Sequence, residues 1–154
     1  LAGAQTASEA VAGRAADEVI EAPRGPILVG DWIATRLLDV AVHADDLSRS
    51  LPERPPAPFA PGVLRRCARI LAAMIAEAAP GRTVELRIPP AAAVQIVQGP
   101  RHTRGMPPNV VETDPLTWLR LATGRAQFAD EVRTGAVRAS GARADLTALL
   151  PLFS

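Results

Sequence analysis

The chain has 154 residues, enough for one ordinary domain or a small domain with an appendage. Apolar residues make up 48% of it, sufficient for a core, but only 3% is aromatic and the net charge is +1. That balance excludes a global field for nucleic acid or an acidic membrane, and it excludes the aromatic platform on which single-stranded bases stack.

All the basic residues are arginine, which fits a high-GC coding bias more simply than any function. Cys67 is the lone cysteine, so an intrachain disulfide and a CxxC redox or zinc site are ruled out. It fits a reducing cytoplasm and, on an apolar helix face, a buried and inert thiol. No apolar run approaches the ~20 residues of a membrane span. The start lacks the basic and apolar regions of a signal peptide, so a cytoplasmic location is expected. The chain begins at Leu1 rather than Met, which suggests a piece of a longer product.

In chain order, Thr6-Ala7-Ser8-Glu9 reads as a capping box that opens a helix to about Glu21, with Val11, Ala15 and Val19 as its apolar stripe. The segment 22–26 breaks it. A second helix is expected over 31–47. Ile33, Leu37, Val40, Ala44 and Leu47 follow a 4-3-4-3 spacing, a packing seam for a partner helix. Beside the seam, Arg36, Asp39, His43 and Asp46 share one narrow polar face, with Trp32 at its upper end. Prolines 52, 55, 56, 58 and 61 then make a semi-rigid linker. The domains expected are a helical hairpin over 1–50, the linker over 51–61 and a second domain over 62–154.

A third helix is expected over 62–79, with Cys67, Leu71 and Ile75 inward and Arg65, Arg66 and Arg69 outward. Residues 83–88 alternate as a strand with one wet face, and 92–98 read as a strand inside a sheet. A Gly-, Pro- and Arg-rich loop over 99–108 leads to a strand over 109–113. Asp114 before Pro115 marks a helix start, and Gly124 a helix end. A short helix holds Phe128 and Val132 and stops at Gly135. A strand over 136–140 and a last helix through Leu146, Leu149, Leu150 and Phe153 complete an α+β order.

Three groups of residues could carry chemistry. A carboxylate and an imidazole four apart on a helix, Asp39 and His43, can reach one divalent metal, such as zinc; the plainer alternative is an ion-pair network with Arg36. In the loop, Arg101, His102 and Arg104 could clamp a carboxylate or phosphate, or be a solvated connection with Arg104 paired to Glu112 or Asp114. Ile96, Val110, Trp118, Leu121, Phe128 and Leu149 could line an apolar pocket, or be plain core. No serine–histidine–acid set, P-loop or dinucleotide fingerprint is present.

The stretch NVVETDPLTWLRLATGRAQFADEVRTGAVRASGARADLTALLPLF resembles the C-terminal half of sterol-carrier-protein-like domains. The segment HTRGMPPNVVETDPLTWLRLATG is similar to a bacterial branch of that superfamily. The resemblance implies a small β-sheet covered by helices, with an apolar ligand between the two layers. The stretch TRLLDVAVHADDL is similar to the DinB-like family, especially mycothiol-dependent maleylpyruvate isomerases. On that family pattern His43 matches a metal-ligand histidine, and Asp39 stands where the family has Glu. A further family histidine lies on an earlier bundle helix that this chain does not contain. The two resemblances belong to one two-domain family, so the N-terminal part is expected to be a partial DinB-like bundle.

The leading expectation is a sterol-carrier-like domain that binds a hydrophobic or acyl small molecule, or covers a neighbouring site, without catalysis of its own. Its ligand-binding candidates are Arg101, His102, Arg104, Trp118 and Phe128. The alternative is a mycothiol-dependent metalloenzyme of isomerase or thiol-transferase type, with His43 and Asp39 on the metal and mycothiol as cofactor. A homo-oligomer, or pairing through the N-terminal helices, is a third expectation.

Overall fold

A two-residue turn sets the first element pair. Pro23 fixes φ at the first corner position and Gly25 takes a φ of +114°, so the chain reverses between β1 (Val19–Ala22) and β2 (Gly25–Leu28). The two strands pair antiparallel, with Val19 opposite Leu28 and Ile20 opposite Ile27. The structure, a computed structural model, describes residues 11–56, 58–99 and 109–153. It forms two compact units, Leu1–Val40 and Ala41–Ser154.

The hairpin corrects the expected first helix. Residues 1–10 lie outside the described residues, and of 11–21 only Val11 is helical. Gly13, at φ +76°, turns the chain, and the β-branched pair Val19 and Ile20 goes into a strand instead. The helical reading of 12–21 rested on alanine, which gives a stripe little to bury. The hairpin also serves the next helix, α1 (Val29–Ser50). The Val29 and Gly30 amides, orphan donors of its first turn, bond to Glu18 O at 2.9 Å and Ala16 O at 2.8 Å. A Cβ on Gly30 would lie 3.1 Å from Ala16 O, so the close approach favours glycine there.

The expected seam of α1 is corrected as well. Val40 is 67% exposed, Leu47 61% and Ile33 42%, while Val29, Leu38, Ala41 and Asp45 are the buried positions. In the second unit the reason is ionic: adjacent carboxylates at 45 and 46 each take an arginine, which fixes which side of the helix faces inward.

The remaining elements of the second unit are α2 (Pro61–Ala78), β3 (Pro80–Ile88), β4 (Ala92–Ile96), β5 (Val110–Thr113), α3 (Pro115–Ala122), α4 (Phe128–Thr134) and β6 (Val137–Ser140), followed by a 3-10 turn at Thr147–Leu149. The four-stranded sheet runs β4-β3-β5-β6; β3 and β5 are parallel and the outer pairs antiparallel. β4 is therefore an edge strand, with Ala93 and Gln95 exposed, and not the interior strand its composition suggested. The last expected helix is reduced to the 3-10 turn, because Pro151 supplies no amide to carry it on.

The core forms on one face of this sheet. Val84, Leu86, Ile88, Ile96, Val111 and Val137 are buried there, together with Cys67, Leu71 and Ile75 of α2 and Trp118, Leu119 and Leu121 of α3. α2 packs on β3, β4 and α3. Its Ala68 and Ala72, also buried, let neighbouring elements come close. Each fully buried Leu or Ile contributes on the order of 1.5–3 kcal/mol. The Cys67 thiol is in this core, and burial pushes its pKa up, so it is no ready nucleophile. The opposite sheet face is polar: Arg87 pairs with Glu85 at 2.6 Å and Arg138 with Glu112 at 3.5 Å. No helix among the described residues is long and apolar enough to cross a membrane.

Candidate functional site: two apolar grooves beside the C-terminal segment

Local sequence signals position the walls of the site. Asp114 caps α3 as expected, accepting hydrogen bonds from the amides of Leu116 at 2.8 Å and Thr117 at 3.1 Å, with Pro115 at the first turn. Gly135, at φ +83°, ends α4 in a left-handed cap. The chain then runs up β6, turns at Gly141 and descends beside the sheet.

Two grooves flank that descending segment. One, of about 370 Å³, is lined by Phe128, Ala129, Val132, Ala139, Ala142 and Ala144, with Asp145 and Thr147 at its polar margin. The other, of about 540 Å³, lies beside the ends of β3 and β4; Ala79, Pro80, Val97, Ala148 and Leu149 give it an apolar wall, with Gln98, Arg143 and Asp145 as its polar groups. Both volumes fall within the ~300–1,000 Å³ typical of small-molecule sites. Ala142 and Asp145 belong to both grooves.

The second groove is built around a β-bulge. Both Pro80 and Val84 pair with Ile96, so residues 81–83 are looped out of register. A Cβ on Gly81 would lie 1.9 Å from Val97 O, which restricts that position to glycine. Val97 sits at φ +66°, an uncommon place for a β-branched residue. It is held there by its amide on Ala79 O at 2.8 Å and by the Thr83 amide on its carbonyl at 3.1 Å. Asn109, itself buried, links the bulge to the descending segment: its Nδ2 donates to Thr83 O at 2.9 Å, and its Oδ1 accepts from the Arg143 amide at 2.9 Å.

The sequence candidates are distributed unevenly over this arrangement. Phe128 lines the first groove and Leu149 the second. Trp118 is in the core, 1% exposed, and lines neither of them; Ile96 and Leu121 are core beside it. Val110 shares the polar sheet face with Glu85. Arg101, His102 and Arg104 lie outside the described residues. Glu112, one suggested partner of Arg104, pairs with Arg138, and Asp114 is the α3 cap.

The metal candidates Asp39 and His43 both lie on α1. Asp39 is exposed and bonded to Arg36 at 2.8 Å, while Arg36 also lies 5.9 Å over the Trp32 ring. His43 is exposed. Among the described residues no group of three or more His, Cys, Asp or Glu is placed to hold a metal ion.

A pair of salt bridges that the sequence did not signal ties α1 to α3 and to the turn that follows it within the second unit. Asp45, 3% exposed, receives Arg120 Nε at 2.9 Å and Nη2 at 2.6 Å. Asp46 receives Arg125 Nε at 3.3 Å and Nη2 at 3.1 Å. Residues 75 apart in sequence meet here, and no local pattern announces such a pairing. The hydrogen bond from Arg125, aided by the charges of Arg125, Arg49 and His43, holds the Asp46 carboxyl below its ordinary 3.8. Thr147 does the same for Asp145. A depressed acid contributes stability that is fully present above its unfolded pKa and is lost as pH falls through the folded value. The melting temperature is therefore expected to be flat with respect to these two groups above about pH 4–5 and to fall below it. Asp46→Asn should flatten part of that acid limb, as read by thermal unfolding over a pH series; an unchanged limb contradicts the assignment.

A four-stranded sheet with its apolar face under helices, and two grooves beside the segment that follows its last strand, defines the second unit as an α+β domain. The chain belongs to the bacterial SCP ortholog family, whose model matches residues 62–152. That span contains the whole sheet and both grooves. Among solved structures, the chain is similar to a histidine-to-alanine mutant of a mycothiol-dependent maleylpyruvate isomerase, at 17% identity and a TM-score of 0.47. The similarity covers 81% of this chain and 46% of that one, so this chain spans less than half the length of that neighbour. No curated protein matches.

Proposed function

We propose that this protein binds a hydrophobic or acyl small molecule in the grooves beside the descending segment 141–149, without chemistry of its own. The observation that carries this reading is the lining. Phe128, Val132 and four alanines form one wall set, and Pro80, Val97, Ala148 and Leu149 the other. Such surfaces gain free energy by removing alkyl groups from water, about 25 cal/mol per Å². Membership of the bacterial SCP ortholog family agrees with it.

Among the described residues, the side chains nearest the grooves support binding over catalysis. Cys67 is buried and its thiol pKa is raised, and the two lining acids and bases of the grooves are Asp145, already bonded to Thr147, and Arg143. The Asp145 carboxyl is held below its ordinary range by those bonds, which suits a fixed charge better than a proton relay. Decanol, a neutral alkyl probe, tests the reading by titration calorimetry. The natural chain should bind it saturably, and Ala142→Trp, which places a large ring at the wall shared by both grooves, should not.

A further inference from the structure

We propose that β4 is a docking edge for a second copy of this chain, the two β4 strands pairing antiparallel about Val94. The four-stranded sheet ends on β4 at one side and on β6 at the other. An unpaired row of amides and carbonyls is a template for another strand, so natural sheets blunt their edges with charge, proline or a covering element. β6 is managed in that way: it carries Arg138, paired to Glu112, and packs against α4. β4 is not. Its residues Ala92–Ile96 fall between Arg87 and Arg101, the longest interval of the chain without a charge. Pro89 and Pro90 stop short of the strand, so every residue of β4 keeps its amide. Among the described residues β3 is its only strand partner.

Burial gives a second, independent sign. The inward positions of β3, Val84, Leu86 and Ile88, are at most 1% exposed. Val94 stands opposite Leu86 and Ala92 opposite Ile88, so both share that side of the sheet. Yet both are only half-buried, although α2 packs on this strand. A further strand alongside would close that side.

Charge selects the partner. A basic or acidic strand would lose solvation on this edge without gaining an ion pair, whereas a second β4 brings no charge to desolvate. The pleat then fixes the register. Residues opposite each other in an antiparallel pair share a face, so inward Ala92, Val94 and Ile96 must meet inward residues. Pairing the full strand sets Val94 opposite its counterpart, Ala92 opposite Ile96 and Ala93 opposite Gln95. Two sheets then join into one, with both apolar faces on the same side. A contact of one short strand pair is small, so the association is weak and concentration-dependent. It does not depend on the binding role proposed above.

Sedimentation velocity from micromolar to millimolar concentration tests the pairing. The substitutions are made at Ala93 and Gln95, which are exposed on the polar face opposite Arg87 and Glu85. The natural chain should pass from monomer to dimer as concentration rises. Ala93→Glu with Gln95→Glu sets acid against acid across the axis, and should stay monomeric with a melting temperature within a few degrees of the natural chain. Ala93→Arg with Gln95→Arg should behave the same way. Mixed in equal amounts, the two double variants should form a dimer, since each acid then faces an arginine. A natural chain that is monomeric throughout overturns the proposal. So does a dimer that persists in either double variant, which places the contact on another surface, or a mixture that stays monomeric, which sinks the register.

Discussion

Replacing Arg120 by alanine is expected to cost about 3 kcal/mol of unfolding free energy, and more than replacing its partner. Breaking a buried pair by removing one member typically costs ~3–5 kcal/mol, since the other charge is left behind in a poorly solvated place. The two members of this pair differ in exposure. The Asp45 side chain is 5% exposed and the Arg120 side chain 34%. With Arg120 gone, the carboxylate loses both hydrogen bonds and stays on a backbone position that faces inward. With Asp45 replaced by alanine, the guanidinium can turn outward, and the loss should be about 1–2 kcal/mol, nearer that of a charged hydrogen bond. Arg120 is itself held more firmly protonated by the Asp45 hydrogen bond. Urea denaturation of the two single variants and the double variant reads the difference. Equal effects, or an Arg120→Ala loss under about 1 kcal/mol, contradict a buried ionic tie between α1 and α3.

Trp118→Ala should be the other severe change, at roughly 3–5 kcal/mol, the range for emptying a large aromatic position in a core. Trp118 is fully buried and its Nε1 has no hydrogen-bond partner. That orphaned donor makes a sharper prediction than the volume alone. Phenylalanine retains most of the packing and removes a buried N–H whose desolvation costs about 1–3 kcal/mol. The Phe variant should therefore lose far less than the Ala variant, within about 1.5 kcal/mol of the natural chain. A Phe variant as unstable as the Ala variant would mean that the indole nitrogen is engaged after all. These changes act on stability, since Trp118 lines neither groove.

Much of the second unit could be read from residues near each other in sequence. The Asp114-Pro115 start of α3, the Gly135 stop of α4 and the alternation of Val84, Leu86 and Ile88 each depend on one turn of chain, and each appears in the fold as expected. The resemblance carried by residues 109–153 agrees with the family match over 62–152. What escaped the sequence depended on distant partners. Val19 and Ile20 form a strand only because Ile27 and Leu28 return beside them. The rotation of α1 follows from Arg120 and Arg125, 75 and 79 positions beyond their acids. The 4-3-4-3 spacing of Ile33 to Leu47 was real as a pattern, but ion pairing at Asp45 and Asp46 outweighed it in the second unit.

The candidate site was legible in part for the same reason. Phe128 and Leu149 were apolar residues in elements whose order was already fixed, and both reach a groove. Thr83, Asn109 and Arg143 carried no signal, because a threonine at a strand start and an arginine in an arginine-rich turn look ordinary. Their convergence needs the bulge at 81–83 and the positive φ of Val97. Gly81 was the visible trace of that geometry.

The titration of decanol into the natural chain and into Ala142→Trp tests the central claim most directly. A saturable heat with the natural chain, lost in the tryptophan variant while its melting temperature stays within a few degrees, is the result predicted. No binding by the natural chain, or equal binding by both, would contradict it.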